Sequence, residues 1–89
     1  MKAVVTVTGK DSVGIIARVS TLCTEYNANI IDITQSVLSE YFAMIMVVDT
    51  DGLNMEFTKF VDDMNKLGED NGLDIRTKHE AIFNSMHKI

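Results

Sequence analysis

The chain has no proline and no tryptophan, one cysteine and five glycines among 89 residues. Each shortage removes a class of answer. Without proline or glycine-serine runs, no segment reads as a linker or a low-complexity tail. A single thiol, Cys23, forms no internal disulfide, a usage that fits a reducing compartment. No apolar run approaches the roughly 18 residues of a membrane helix, and no basic-then-apolar leader opens the chain. The expectation is a cytoplasmic protein with no membrane partner. Positive charge is scarce too: 8 Lys and Arg stand against 13 Asp and Glu, a net charge of −5. That balance excludes a phosphate-backbone interface, so no nucleic-acid partner is expected. Only two histidines are present, His79 and His87, both close to the end. They leave no Ser-His-Asp or Cys-His arrangement and no metal-ligand spacing, so no metal and no cofactor are expected, and both read as surface histidines. The expectation is a protein that is not an enzyme.

What is present is strong patterning. Residues 3–8 are rich in β-branched side chains and alternate, as a strand does. Gly9 ends that run, Asp11 or Ser12 is placed to cap a helix, and from Ile15 the apolar positions Ile15, Val19, Leu22 and Tyr26 fall at helical spacing. Arg18, Thr21 and Glu25 take the outer face. Residues 30–38 and 41–48 read as two strands joined by a Ser39-Glu40 hairpin turn. The second of these is apolar on both faces, with Phe42, Met44, Met46 and Val48 on one and Ala43, Ile45 and Val47 on the other. Such a strand wants cover on both sides. Asn54 is placed to cap a second helix carrying Phe57, Phe60, Val61, Met64 and Leu67. Asn71-Gly72 turns the chain into a half-exposed strand at Leu73–Lys78, and Ile82, Phe83, Met86 and Ile89 suggest a short terminal helix.

The order β-α-β-β-α-β gives an α+β fold. It is ferredoxin-like: a four-stranded antiparallel sheet with two helices on one face and a short C-terminal helix. Right-handed crossovers place the first and third strands in the centre. The length allows one domain over residues 1–89, with a core of about 2–80 and an extension at 81–89. Two helices cover only one sheet face, which leaves the second apolar face of the third strand to the tail or to a partner subunit.

The scaffold hosts several jobs, and residue types discriminate among them. Metal transfer needs a Cys-x-x-Cys in the first loop, and Lys10-Asp11-Ser12 stand there instead. RNA binding on this topology needs aromatics on both central strands, and the first has none. Gly9 and Gly14 echo a nucleotide loop, but Ile15-Ile16 replace the required Lys-Ser/Thr. An acylphosphatase-like enzyme is the catalytic rival, with Gly9, Gly14 and Arg18 in superficially matching places. Arg18, however, lies a full turn past Gly14 on the outer face.

Asp11-Ser12-Val13-Gly14-Ile15, the Ala17-x-Val19 step and Asn29-Ile30-x-Asp32-Ile33 resemble the ACT domain. The Glu40-Tyr41-Phe42-x-Met44 run and the Ala81-Ile82-Phe83 tail resemble the short stand-alone, uncharacterised members of that family. The resemblance spans essentially the whole chain. It implies a small regulatory module, non-catalytic, that binds an amino acid or related metabolite at a homodimer interface and signals to a partner protein. It also implies a site shared between the first loop with the helix start and a neighbour's strand. Carried over, the loop residues are Gly9, Lys10, Asp11, Ser12, Val13 and Gly14, and the strand residues are Asn29 and Asp32. The family often has proline where Val13 stands, which makes this loop less rigid.

Most of these residues have a competing structural role. Gly14 serves close packing, Asp11 and Ser12 cap a helix, Lys10 is solvated, Asn29 is a turn asparagine, and Asp32 and Gln35 are exposed strand positions. Cys23, Met44, Met46 and Met64 read as core. A pure protein–protein interaction module is the alternative function.

Overall fold

A computed structural model describes residues 1–10 and 13–86. Strand β1 (Lys2–Gly9) leads into helix α1 (Ile15–Glu25), then strands β2 (Asn29–Leu38) and β3 (Tyr41–Asp49). Helix α2 (Phe57–Asp70), strand β4 (Asp74–His79) and helix α3 (Glu80–Met86) follow. The sheet order is β2-β3-β1-β4, antiparallel throughout, so β1 and β3 are central as the crossover rule requires. The ferredoxin-like arrangement read from the sequence is the one observed.

Alternation sets the two faces. Ala3, Val5 and Val7 on β1 share a face with Val48, Met46 and Met44 on β3, and with Thr77 and Ile75 on β4. Against that face pack Ile15, Val19, Cys23 and Tyr26 from α1 and Phe60 and Met64 from α2. Burial of each large side chain contributes about 1.5–3 kcal/mol, which makes this layer the main support of the fold. Tyr26 meets Phe60 edge-on at 5.8 Å between ring centres.

Both long helices end in the same device. After α1, Ala28 N–H donates to the Cys23 carbonyl and Asn27 N–H to that of Thr24, with Asn27 left-handed at φ 57. After α2, Leu73 N–H donates to Gly68 and Gly72 N–H to Glu69, with Gly72 at φ 68. These are Schellman terminations, which satisfy carbonyls that the helix leaves unpaired.

The helix starts depart from expectation. Gly14, not Asp11 or Ser12, occupies the N-cap position of α1, and Glu56, not Asn54, that of α2; neither makes a side-chain capping bond. Asn54 instead donates its side-chain amide to the Glu25 carbonyl at 2.9 Å and its backbone N–H to that of Tyr26, closing the end of α1. The left-handed turn asparagine is Asn27, whose Nδ2 donates to the Gly52 carbonyl at 2.7 Å. Asn29, by contrast, is a strand residue paired with Asp49.

The second sheet face is only partly covered. Val4 points away from the main core yet is 4% exposed, and α3 lies against β1 and β4. Tyr41 and Ile45 on the same face of β3 are about half exposed. His79 differs from the surface histidine expected. It stacks on Phe57 with ring centres 4.2 Å apart, and its Nδ1 is buried without a hydrogen-bond partner, as is Thr77 Oγ1. His87 and Ile89 lie outside the described residues.

Candidate functional site

The β1–α1 loop is built around two glycines. Gly9 pairs with Phe42 at the end of β1, and a β-carbon there would collide with the Leu73 side chain. Gly14 has φ +74, a left-handed backbone that L side chains resist, and from it α1 begins. The Arg18 N–H donates to the Gly14 carbonyl at 3.1 Å, the first helical bond. No side chain at the cap accepts from the first-turn N–H groups, and no acidic residue stands in the first turn of α1. Among the described residues, neither the cap position nor the first turn supplies a group that neutralises the positive end of this helix, which suits an anionic group.

The four other loop residues divide. Val13 is 88% exposed despite being aliphatic. The Lys10 ammonium lies 3.8 Å from the Glu40 carboxylate and 5.5 Å from the centre of the Tyr41 ring. It is thus turned toward the β2–β3 hairpin, and the pair is exposed enough to be weak. Asp11 and Ser12 lie outside the described residues.

Within one chain the loop does not meet the two strand residues. Asn29 and Lys2 flank Asp49 in one cross-strand row, and Gly9 is seven residues further along β1. At strand rise that is about 24 Å. Asp32 lies in the row of Val47 and Val4, about 17 Å from the row of Gly9 along the strands. It is exposed, and its Oδ1 accepts from the Ile33 N–H at 2.9 Å beside a bulge between Ile30 and Asp32. In the row of Gly9 and Phe42, the β2 residue is Val37, 73% exposed although it faces the same side as the core.

Residues outside the sequence-derived set also shape the loop. Arg18 Nη1 donates to Asn71 Oδ1 at 2.8 Å, so the guanidinium leans on the end of α2. Leu73 fills the space beside Gly9. Asn71 and Leu73 surround a glycine turn in the sequence, and that turn chemistry masked their part in the loop. Cys23 is buried, and desolvation pushes its thiol up to about 11, which makes it a core residue and a poor nucleophile. Among the described residues, no group of three or more His, Cys, Asp or Glu side chains is arranged to hold a metal ion. Nor, among the described residues, is any helix long and apolar enough to cross a membrane. A cleft of about 550 Å³ opens where β1 begins and α3 starts, lined by Met1, Lys2, His79, Glu80, Ala81 and Ile82. It contains none of the loop or strand residues singled out above.

Comparison with known proteins is consistent along the whole chain. The family model for the ACT domain matches residues 2–78. A UPF0237 protein of Bifidobacterium longum is 44% identical over 88 residues, covering 99% of this chain and 98% of the relative. The UPF0237 protein YjhC of Lactococcus lactis is 46% identical over 89 residues, with both chains fully covered. Among solved structures, an ACT domain protein from Streptococcus pneumoniae superposes with a TM-score of 0.81 at 42% identity, covering 93% of each chain.

Proposed function

The chain belongs to the ACT domain family, and from that premise we propose that it is a non-catalytic regulatory module binding an amino acid or related small acid at a homodimer interface. In this reading residues 1–89 form one domain, with a core of about 2–80 and an extension at 81–89, and it works in the cytoplasm. The observation that carries the reading is the start of α1. A left-handed Gly14 that brings no capping side chain, a first turn without acidic residues and an exposed Val13 together offer N–H donors for a carboxylate beside an apolar surface.

The edge of the sheet supports the dimer. β2 runs for ten residues with Asp32 as its only charge, and Ile31 and Val37 are exposed on it. Antiparallel pairing of β2 with its copy across a two-fold axis brings the start of one strand beside the end of the other. The end of β2 shares a row with Gly9, so Asn29 and Asp32 of one copy approach the loop of the other. The site is then complete only in the dimer. Ligand bridging two copies favours one assembly, which a partner protein reads.

Thermal unfolding against single amino acids and related acids tests the reading. Ligand at about a hundred times its dissociation constant adds roughly 2.7 kcal/mol. For a domain of this size that raises the melting temperature by roughly ten degrees. The expected result is a selective shift that Asn29→Ala removes. A flat panel favours the second reading, a protein–protein module, to which the exposed Val13 and Val37 also lend themselves.

A further inference from the structure

We propose that Asn71 is a positioning residue for the start of α1, acting through Arg18, so that the α2–β4 turn sets where Gly9 and Gly14, the two flanks of the candidate ligand loop, stand. The inference rests on the reading of that loop as the ligand site. Two contacts carry it, one on each flank. On the strand flank, the Leu73 side chain occupies the space where a β-carbon on Gly9 would be. On the helix flank, Arg18 Nη1 donates to Asn71 Oδ1 at 2.8 Å. The Nε of the same guanidinium stands 3.8 Å from where a β-carbon on Gly14 would lie. Asn71 and Leu73 are separated only by Gly72, so one short turn touches both sides of a loop more than fifty positions earlier.

The turn is rigid enough to act this way. Asn71 Nδ2 donates to the Leu67 carbonyl at 2.7 Å and its N–H to Gly68 at 3.1 Å. The Leu73 N–H donates to the same Gly68 carbonyl at 2.8 Å, and Gly72 is left-handed. The carboxamide of Asn71 is therefore divided: its nitrogen serves its own helix and its oxygen serves Arg18. The charged donor makes this the stronger kind of hydrogen bond. It holds the guanidinium toward α2, one turn along from Gly14. The start of α1 is thereby tied to the end of α2 and the start of the β4 edge.

The divided carboxamide supplies its own test. Asn71→Asp keeps the acceptor for Arg18 and loses the donor to Leu67, whereas Asn71→Ala loses both. Amide hydrogen exchange on the ligand-free protein reads the result. In Asn71→Ala, exchange at the Arg18 amide, the first hydrogen-bonded N–H of α1, should quicken at least fivefold, while Val5 and Met46 in the central strands keep their rates. In Asn71→Asp that amide should stay within twofold of the parent. Equal acceleration in both variants assigns Asn71 to capping alone and overturns the proposal, as does no acceleration in either. If Asn71→Ala quickens the whole sheet, Arg18→Ala decides, since it leaves the cap intact. The same local acceleration there upholds the proposal, and its absence sinks it. No ligand enters the experiment, so a flat amino acid panel would remove the ligand reading without touching this result.

Discussion

At one margin of the sheet runs β2, ten residues with Asp32 as its only charge; at the other runs β4, six residues carrying Asp74, Arg76 and Lys78. Those three β4 charges alternate with Ile75 and Thr77, which face the core, and Arg76 pairs with Asp74 at 3.1 Å. α2 and α3 both pack against β4, whereas α1 packs against β2. An unpaired strand edge invites another strand, and short length and charge are the usual protections. β4 has both, together with helical cover. β2 is long and carries a single charge, and its Val37 faces the helix side without being covered. The difference teaches that one margin is closed against neighbours and the other is left available to one.

The comparison can be broken most severely at Gly68. A β-carbon there would lie 2.8 Å from the Leu73 carbonyl oxygen and 3.0 Å from Ile75 Cγ1. Gly68→Val should push α2 off β4 and lower stability by about 3 kcal/mol in urea unfolding, or prevent folding. Parental stability in that variant would show that the closed margin does not depend on this approach.

Cys23 gives a next, smaller handle under α1. Its thiol is raised in the folded state to about 11, so the unfolded chain loses that proton first and folding weakens as pH rises from about 9 to 11. The loss should reach about 2–3 kcal/mol at the alkaline end. Cys23→Ala should flatten that part of the pH profile relative to the parent; identical slopes would contradict the assigned burial.

The open margin is tested by charge. Val37→Lys or Ile31→Lys should weaken self-association at least tenfold in sedimentation equilibrium, about 1.4 kcal/mol. Arg76→Glu at the closed margin should change it less than twofold. Equal effects at both margins would erase the distinction. The smallest change is Arg76→Ala, which removes an exposed pair and should alter unfolding by less than about 0.5 kcal/mol.

The sequence periodicities were legible because they are local. Strand alternation, the stripes on α1 and α2, the hairpin at Ser39-Glu40 and the edge character of β4 all follow from neighbouring residues. The loop was legible as two glycines before a helical pattern, and Gly9 and Gly14 both hold special positions. The capping assignments failed because capping chemistry is common to several nearby residues. Asp11, Ser12 and Asn54 are all good caps, yet the helices begin after Gly14 and Glu56. Asn54 found a carbonyl of α1, a partner 29 residues away that no local rule reveals. His79 was misread for a similar reason. Its environment is Phe57, brought near only when α2 docks on β4. Asn71 and Leu73 were hidden likewise, because their contacts with Arg18 and Gly9 span the chain.

The pairing of β4 with β1 also dictates when the sheet can be finished. Ala3 is opposite His79 and Thr8 is opposite Asp74, so the first strand waits through nearly the whole chain for its second neighbour. Closing so distant a pair is slow, because the connecting chain must surrender its freedom before the contact repays it. A nascent chain ending before β4 therefore exposes one side of β1 and leaves Gly9 without Leu73 beside it. With no proline in the sequence, isomerisation at proline adds no slow phase to obscure that step. Refolding should thus report mainly on how fast the last strand finds the first.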